Sequence, residues 1–212
     1  NTAVGGAVQG SQERSAAGYA FGTLLNFGNG SYSYTFATDI RNAACPAPCT
    51  DAEGKALDLS YQPGLTHRVT IEQANSAYPK ASGVHDFVPS GGAGAKRDIV
   101  ATDTCNGCHN EVTMPGTNRV DAKLCVTCHN PGSWIAGAPN TPLDFKVVIH
   151  KIHYNKSGVG LPSVLAGTPY VVGGINFSAR PGGVVSVQDV RNCPRCHDGT
   201  AGAANATAQG DN

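Results

Sequence analysis

The chain carries little charge and no excess of either sign. Only 14% of its 212 residues are charged, and 15 Lys and Arg residues balance 15 Asp and Glu residues. A surface that attracts nucleic acid or an anionic membrane needs clustered basic residues, and the sequence shows no such cluster. Nucleic acid is therefore not expected as a partner.

Long apolar segments are also missing from the sequence. No run approaches the roughly 18 apolar residues that a membrane-spanning helix needs. Residues 1–26 lack the basic start and apolar core of a secretory signal. We therefore predict no transmembrane segment, and the sequence is typical of a mature, soluble chain.

Glycine and proline are abundant instead, with 27 and 13 residues. Together with the low charge, this composition argues against a disordered tail and against a helical bundle. It predicts a compact, loop-rich protein of one or two modest domains.

Six of the eight cysteines fall in Cys-x-x-Cys-His motifs at 105–109 (CNGCH), 125–129 (CVTCH) and 193–197 (CPRCH). In such a motif two thiols add to the vinyl groups of one haem, and the following imidazole ligates its iron. The sequence therefore predicts three covalently bound haem c groups. The attachment residues are Cys105, Cys108, Cys125, Cys128, Cys193 and Cys196, and the proximal iron ligands are His109, His129 and His197.

A zinc ribbon is the main alternative to haem. Cys108 and Cys125 have 16 residues between them, a spacing at which two Cys-x-x-Cys pairs can form a tetrahedral sulfur site. A zinc ribbon does not require a histidine after every pair, however, and it leaves the third pair unexplained. Haem attachment is the favoured interpretation.

The other two cysteines, Cys45 and Cys49, lie in CPAPC without a following histidine. We predict a local disulfide between them, with a free or metal-binding pair as the alternative. Disulfides and covalent haem both occur outside the reducing cytosol. The cysteine usage therefore indicates an exported protein.

Each iron needs a sixth ligand or keeps an open position, and this choice separates electron transfer from catalysis. His150 and His153 are the best placed candidates, in TPLDFKVVIHKIHY. Thr141 can cap a helix there and Pro142 suits its first position, so we predict a helix of about three turns. Histidines three residues apart share a helix face, so the pair could serve two neighbouring haems.

The ligand of the third iron is harder to assign. His67 lies in the strand-like segment LTHRVTIEQA, and His85 lies in HDFVP, which favours a surface loop. Both stay candidates. Met114, the only methionine, is interpreted as a packing residue.

The composition changes near residue 97. Runs rich in β-forming residues at 16–26, 31–38 and 66–73, with Asn29-Gly30 as a hairpin turn, predict a small antiparallel β domain over 1–97. Residues 98–212 contain the haem motifs and few apolar runs, so the haems should form the core and the apoprotein should be largely unfolded there. The predicted fold class is α+β with little regular secondary structure: a barrel- or sandwich-like β domain, then a loop-rich multihaem domain with short helices.

Several segments carry a family resemblance that covers about residues 30–199. They are SYSYTFATDI, LTHRV, HDFVP, RDIVATDTCNGCH, KLCVTCHNPGS, DFKVVIHKIH and QDVRNCPRCHDGT. Together they resemble the outer-surface multihaem cytochromes of metal-reducing bacteria, the OmcA/MtrC family. The resemblance implies a β domain followed by a domain of bis-histidine haems that pass electrons to minerals or soluble acceptors.

One departure from the family pattern bears on the distal ligands. Similar sequences usually read Cys-His-x-x-Leu-x-x-His-Gly-Gly after the first motif, whereas Pro115 stands here in place of that histidine. The chain also has fewer haem motifs than a family module usually carries. The resemblance then implies His67, His150 and His153 as the distal set, with His85 as the second choice.

The leading hypothesis is a trihaem cytochrome for extracellular electron transfer, and not an enzyme. We expect it outside the cell or at its surface, with the periplasm as the second choice. Expected partners are other multihaem cytochromes, copies of itself in a filament, and acceptors such as metal oxides; a monomer that docks on partners is the alternative to the filament. The alternative function is a multihaem reductase with one open iron, although four spare histidines for three irons weigh against it.

Overall fold

The computed structural model describes residues 5–6, 13, 22–42, 49–50, 55–73, 77–95, 98–114, 116, 118–130, 133–135, 138–153, 170–172, 174–176, 192–197 and 199. The chain divides into two compact units. The first contains Asn1–Gln62 and Cys128–Asp144, and the second contains Pro63–Thr127 and Phe145–Asn212. The predicted boundary between residues 97 and 98 stays a prediction.

The regular elements are short and the strand pairings are antiparallel. In chain order the strands and α-helices are β1 (Gly5–Gly6), β2 (Thr23–Asn26), β3 (Tyr32–Thr35), β4 (His67–Glu72), β5 (Ser82–Phe87), α1 (Thr102–His109), α2 (Ala122–Cys125), β6 (Ser133–Ile135), β7 (Ala138–Pro142), α3 (Phe145–His153), β8 (Val171–Val172) and β9 (Ile175–Asn176). Two 3-10 turns cover Ile40–Asn42 and Cys193–Arg195. The predicted fold class, with small antiparallel sheets, short helices and many loops, is confirmed.

In the first unit, β2 and β3 form the hairpin that the sequence predicted. Asn26 lies opposite Tyr32, and the connecting loop contains Gly28 and Gly30, whose φ angles are 77° and 86°. Side chains other than glycine rarely adopt such angles. The Asn29-Gly30 turn is therefore confirmed, whereas residues 16–21 of the predicted strand lie outside the described residues.

A second sheet of the first unit has the order β1-β6-β7. Trp134 of β6 is buried, and its Nε1 donates to the Thr50 carbonyl oxygen at 3.2 Å. Trp134 also pairs with Pro142 of β7, and the Leu143 N–H donates to the Ser133 carbonyl oxygen. These contacts fix the backbone through Leu143 in extended pairing.

This pairing corrects the predicted start of the histidine helix. Thr141 and Pro142 belong to β7 and do not cap or begin a helix. The helix α3 begins at Phe145 and ends at His153. A proline is favourable at the first position of a helix, but here Pro142 pairs with Trp134 of β6 and the helix begins later.

In the second unit, β4 and β5 form a hairpin with alternating faces. On one face Arg68 pairs with Asp86 at 2.7 Å and donates to the Lys123 carbonyl oxygen of α2 at 3.1 Å. The opposite face carries His67 and His85, because His67 lies across from Phe87 and Val69 across from His85. The prediction of a strand at His67 is confirmed. The loop prediction for His85 is wrong, because that residue lies within β5.

The apolar core of the described residues is small. The buried apolar residues among them are Ala122, Leu124, Cys125, Trp134, Leu143, Val148 and Tyr170. Large apolar side chains are exposed elsewhere, and Met114, at 68% exposure, is one of them. The packing role predicted for Met114 is therefore wrong. Met114 follows α1 in an irregular segment, and its side chain lies at the surface.

Candidate haem-binding site

The first motif lies on α1. Residues three and four apart share a helix face, so Cys105 has Cys108 and His109 as its neighbours on one side of this helix. Asp103 lies in its first turn, where a negative side chain interacts favourably with the positive end of the helix dipole. The helix ends at His109, and the φ of 60° at Asn110 turns the chain away from the helix direction.

The second motif begins on α2, in the second unit. The Asp121 side chain accepts from the Lys123 N–H at 2.8 Å and so caps this helix. Thr102 of α1 joins the cap, because its hydroxyl donates to Asp121 at 3.1 Å and accepts from the Ala122 N–H at 2.9 Å. The first two motifs are therefore linked at the starts of their helices.

The division between the units falls after Thr127, so Cys128 and His129 belong to the first unit. The Nδ1 of His129 donates to the Leu143 carbonyl oxygen at 2.8 Å. A carbonyl oxygen can only accept, so the proton of the neutral ring is on Nδ1 and the ligating nitrogen would be Nε2. Such a hydrogen bond orients a metal-binding histidine.

The third motif forms a single 3-10 turn that begins at Cys193. The backbone N–H groups of Cys196 and His197 both donate to the Cys193 carbonyl oxygen, at 3.1 and 2.9 Å. This turn brings the two thiols and the following imidazole close together. Short turns of this kind are what a Cys-x-x-Cys-His segment needs to hold one macrocycle.

The helix α3 presents His150 and His153 in the same orientation. The Nδ1 of His150 donates to the Lys146 carbonyl oxygen at 2.6 Å, and the Nδ1 of His153 donates to the Ile149 carbonyl oxygen at 2.8 Å. Both rings are therefore fixed by the preceding helical turn. In each of them Nε2 is the nitrogen available to a metal.

The structure pairs each helix histidine with a motif histidine. The ring centroids of His109 and His153 are 5.9 Å apart with planes at 90°. Those of His150 and His197 are 6.2 Å apart with planes at 15°. An iron bound by two imidazoles on opposite sides, with metal–nitrogen bonds of about 2 Å, separates the ring centroids by about 6 Å. The residues present therefore fit two bis-histidine irons.

The cysteine thiols of the second unit also lie near one another. Burial raises the pKa of the Cys105 thiol, and the nearby Cys196 thiol adds to this effect. Burial, followed by Asp121 and Cys105, raises the pKa of Cys125 to about 11. None of the six motif cysteines is in a disulfide. Cys105 therefore lies within electrostatic range of Cys196 and of Cys125.

A guanidinium group provides a further contact between the first and third motifs. Arg195, which lies between the two cysteines of the third motif, donates from Nη2 to the Sγ of Cys108 at 3.3 Å. The sequence did not predict this contact. No local signal could have done so, because the two residues come from motifs far apart along the chain.

His67 and His85 lie on the same face of the β4–β5 hairpin, and both are near Phe87. The ring centroids of His67 and His85 are 5.9 and 6.0 Å from that of Phe87. The Nδ1 of His67 donates to the Leu65 carbonyl oxygen at 3.0 Å, and the helix histidines likewise donate to carbonyl oxygens of preceding residues. The assignment of a ligand to the third iron stays a prediction.

The remaining predicted features have mixed outcomes. Cys49 is disulfide-bonded, but Cys45 lies outside the described residues, so the pairing of the two stays a prediction.

Across the described ranges, no group of three or more His, Cys, Asp and Glu side chains is arranged to hold a metal ion. Two of the motif imidazoles, those of His109 and His197, each lie near one imidazole of α3. None of the helices described is long and apolar enough to cross a membrane.

Comparison with known families decides the relationship of the chain. The family model for outer membrane cytochromes, MtrC/MtrF-like, domains II/IV, matches residues 97–211, which is more than half of the chain. The chain belongs to the OmcA/MtrC family of outer-membrane multihaem cytochromes. The resemblance predicted from the sequence is confirmed.

Individual relatives are similar to parts of this chain. The multiheme cytochrome MtrC of Shewanella baltica (strain OS185) is 30% identical over 142 residues, which cover 62% of this chain and 19% of MtrC. The crystal structure of the outer membrane decaheme cytochrome OmcA matches with a TM-score of 0.61 and 26% identity, over 86% of this chain and 26% of OmcA. A crystal structure of MtrC from Shewanella baltica OS185 gives a TM-score of 0.47 and 28% identity, over 68% of this chain and 22% of that one. This OmcA/MtrC-family chain thus spans about a fifth to a quarter of the length of these relatives.

Proposed function

We propose that this chain is a trihaem c-type cytochrome that transfers electrons between closely spaced bis-histidine haems and outside partners. The observation that carries the proposal is the pairing of two motif histidines with the two histidines of α3. Both pairs have the ring separation that one iron between them requires. Membership of a family of multihaem cytochromes supports the same role.

The roles of the residues follow from their chemistry. The six motif cysteines would attach the haems, His109 and His153 would hold the first-motif iron, and His197 and His150 would hold the third-motif iron. Bound haem would supply an iron that changes between the ferric and ferrous states. With the same two imidazoles in both states, little rearrangement would accompany electron transfer. The Nδ1 hydrogen bonds of α3 hold the distal rings in place.

For the iron of the second motif we propose His129 as the proximal ligand. His67 is the first choice for the third distal histidine and His85 is the second, and which iron it serves stays open. The hydrogen bond from His67 to Leu65 supports this order, because it orients the ring with Nε2 as the ligating nitrogen.

The finer parts of the proposal concern location and assembly. Membership of a family of outer membrane cytochromes supports export to the cell surface, with the periplasm as the second choice. Other multihaem cytochromes and extracellular acceptors such as metal oxides are the proposed partners, and no bond-making catalysis is proposed. Self-assembly into filaments rests on the sequence alone. The first residue matched by the family model, 97, supports the boundary at residues 97 and 98. The disulfide-bonded state of Cys49 supports the proposed Cys45–Cys49 pair.

The test is an optical and chemical analysis of the purified holoprotein. We expect three haems per chain by pyridine haemochrome and mass measurement, low-spin spectra in both redox states, and little carbon monoxide binding. A chain with three haems that binds carbon monoxide without mutation has an open iron, which supports the reductase. A chain with zinc and no haem contradicts the whole proposal.

A further inference from the structure

The two faces of α3 have different surroundings. At about 3.6 residues per turn, Val148 and Lys151 lie on one face of the helix, and His150 and His153 lie on the opposite face. The burial of the side chains agrees with this arrangement, because Val148 is buried and His150 is exposed. The helix therefore packs with the face that carries neither histidine.

Tyr170 contacts this packed face from a distant part of the chain. It is 3% exposed and directly precedes β8, which pairs with β9. The Nζ of Lys151 lies 5.2 Å from the centroid of the Tyr170 ring, within the roughly 6 Å at which a cation–π attraction acts. The pair therefore connects α3 to the β8–β9 hairpin.

We propose that the Lys151–Tyr170 pair positions α3, and through the helix both distal histidines, for ligation of two irons. The inference rests on the proposed function, because α3 has ligands to position only if haem is bound. The Nδ1 hydrogen bonds of His150 and His153 orient each ring relative to the helix, but they do not fix the helix relative to the motifs. A contact on the opposite face can do so. Lys151 and Tyr170 are thus positioning residues, since they act through the helix.

The test is a carbon monoxide titration of the reduced holoprotein, because carbon monoxide and a distal histidine compete for the same position on the iron. A helix that is held less firmly leaves its histidines bound for a smaller fraction of the time. Less carbon monoxide is then needed for half saturation.

Three substitutions separate the cation from other effects. Lys151→Met removes the charge and keeps an unbranched apolar chain, whereas Lys151→Arg retains a cation that stacks on aromatic rings. Lys80→Met removes a different charge of the same unit, one that is paired with Glu111.

We expect Lys151→Met to lower the half-saturating concentration of carbon monoxide at the two irons of α3 by about twofold to fivefold, which is the factor that a cation–π attraction of ordinary strength gives. Lys151→Arg and Lys80→Met should leave that concentration within error of the wild type. In a chain that already carries Tyr170→Leu, Lys151→Met should have no further effect, because the ring is gone. The comparison of Lys151→Met with Lys151→Arg decides the inference even if Tyr170→Leu does not fold.

A further control separates positioning from a general loss of stability. In a chain with both His150→Ala and His153→Ala, adding Lys151→Met should not change the half-saturating concentration at the iron that keeps its distal ligand. A change there, an equal change in Lys80→Met, or no change in Lys151→Met alone overturns the inference. In each of these cases three low-spin haems in the wild type leave the proposed function standing, whereas a wild-type chain without haem removes both.

Discussion

The pairing of the imidazoles makes a prediction that can be tested by counting open irons. His153 and His150 each lie opposite one motif histidine at about the separation that an iron requires. An alanine at either position ends at Cβ and cannot reach the iron. Each single substitution, His153→Ala or His150→Ala, should therefore open one iron, so that the reduced protein binds about one more carbon monoxide per chain than the wild type.

Double variants then identify the partners. Adding His153→Ala to His109→Ala should create no further open iron, because both histidines serve the same one. Adding His150→Ala to His109→Ala should create one more. In the same way, adding His150→Ala to His197→Ala should open no further iron. Adding His153→Ala to His197→Ala should open one more.

The assay is carbon monoxide titration of the reduced protein, with haem content measured in every variant. The test also works if His109→Ala loses the first haem altogether. Adding His153→Ala then still opens no further iron. The ligand assignment is wrong if adding His150→Ala to His109→Ala opens no further iron. It is also wrong if one substitution opens two irons.

Three further predictions concern stability. Arg68→Met leaves the Asp86 carboxylate, whose side chain is 7% exposed, without its guanidinium, and should lower the free energy of unfolding by about 2–3 kcal/mol, measured from the urea midpoint; an unchanged midpoint contradicts the role of the pair. Leu124→Ala should cost about 2–4 kcal/mol because Leu124 is 5% exposed, whereas Leu124→Met should cost less than about 1.5 kcal/mol. Burial raises the pKa of Tyr170 to about 12 from 10.0, so the folded chain holds a proton that the unfolded chain releases. Stability should therefore fall by about 1.4 kcal/mol per pH unit between pH 10 and 12, and Tyr170→Phe should lack this contribution in denaturation curves across that range.

Features that depend on adjacent residues could be predicted from the sequence. The hairpin at Asn29-Gly30 needs only a turn that accepts positive φ between two runs of β-forming residues. The strand at His67 needs only alternation. The family relationship followed from the haem motifs and the segments around them, because these are local in the chain.

Features that depend on distant residues could not be predicted in the same way. Pro142 is a favourable first residue for a helix, but it pairs with Trp134 and the helix begins later. The segment of His85 contains Gly83 and Asp86, which disfavour strands, but pairing with β4 makes it one. The sequence named His150 and His153 as ligands without assigning their partners, since the two motifs they face are separated from them along the chain.

The placement of both distal candidates on α3 has a consequence for how coordination is lost. A nine-residue helix is marginal by itself in water, so it should melt as one segment. If it carries one ligand for each of two irons, heating should release both ligands in a single step. The spin transitions of these two irons should then share one midpoint, and the iron of the second motif should follow its own.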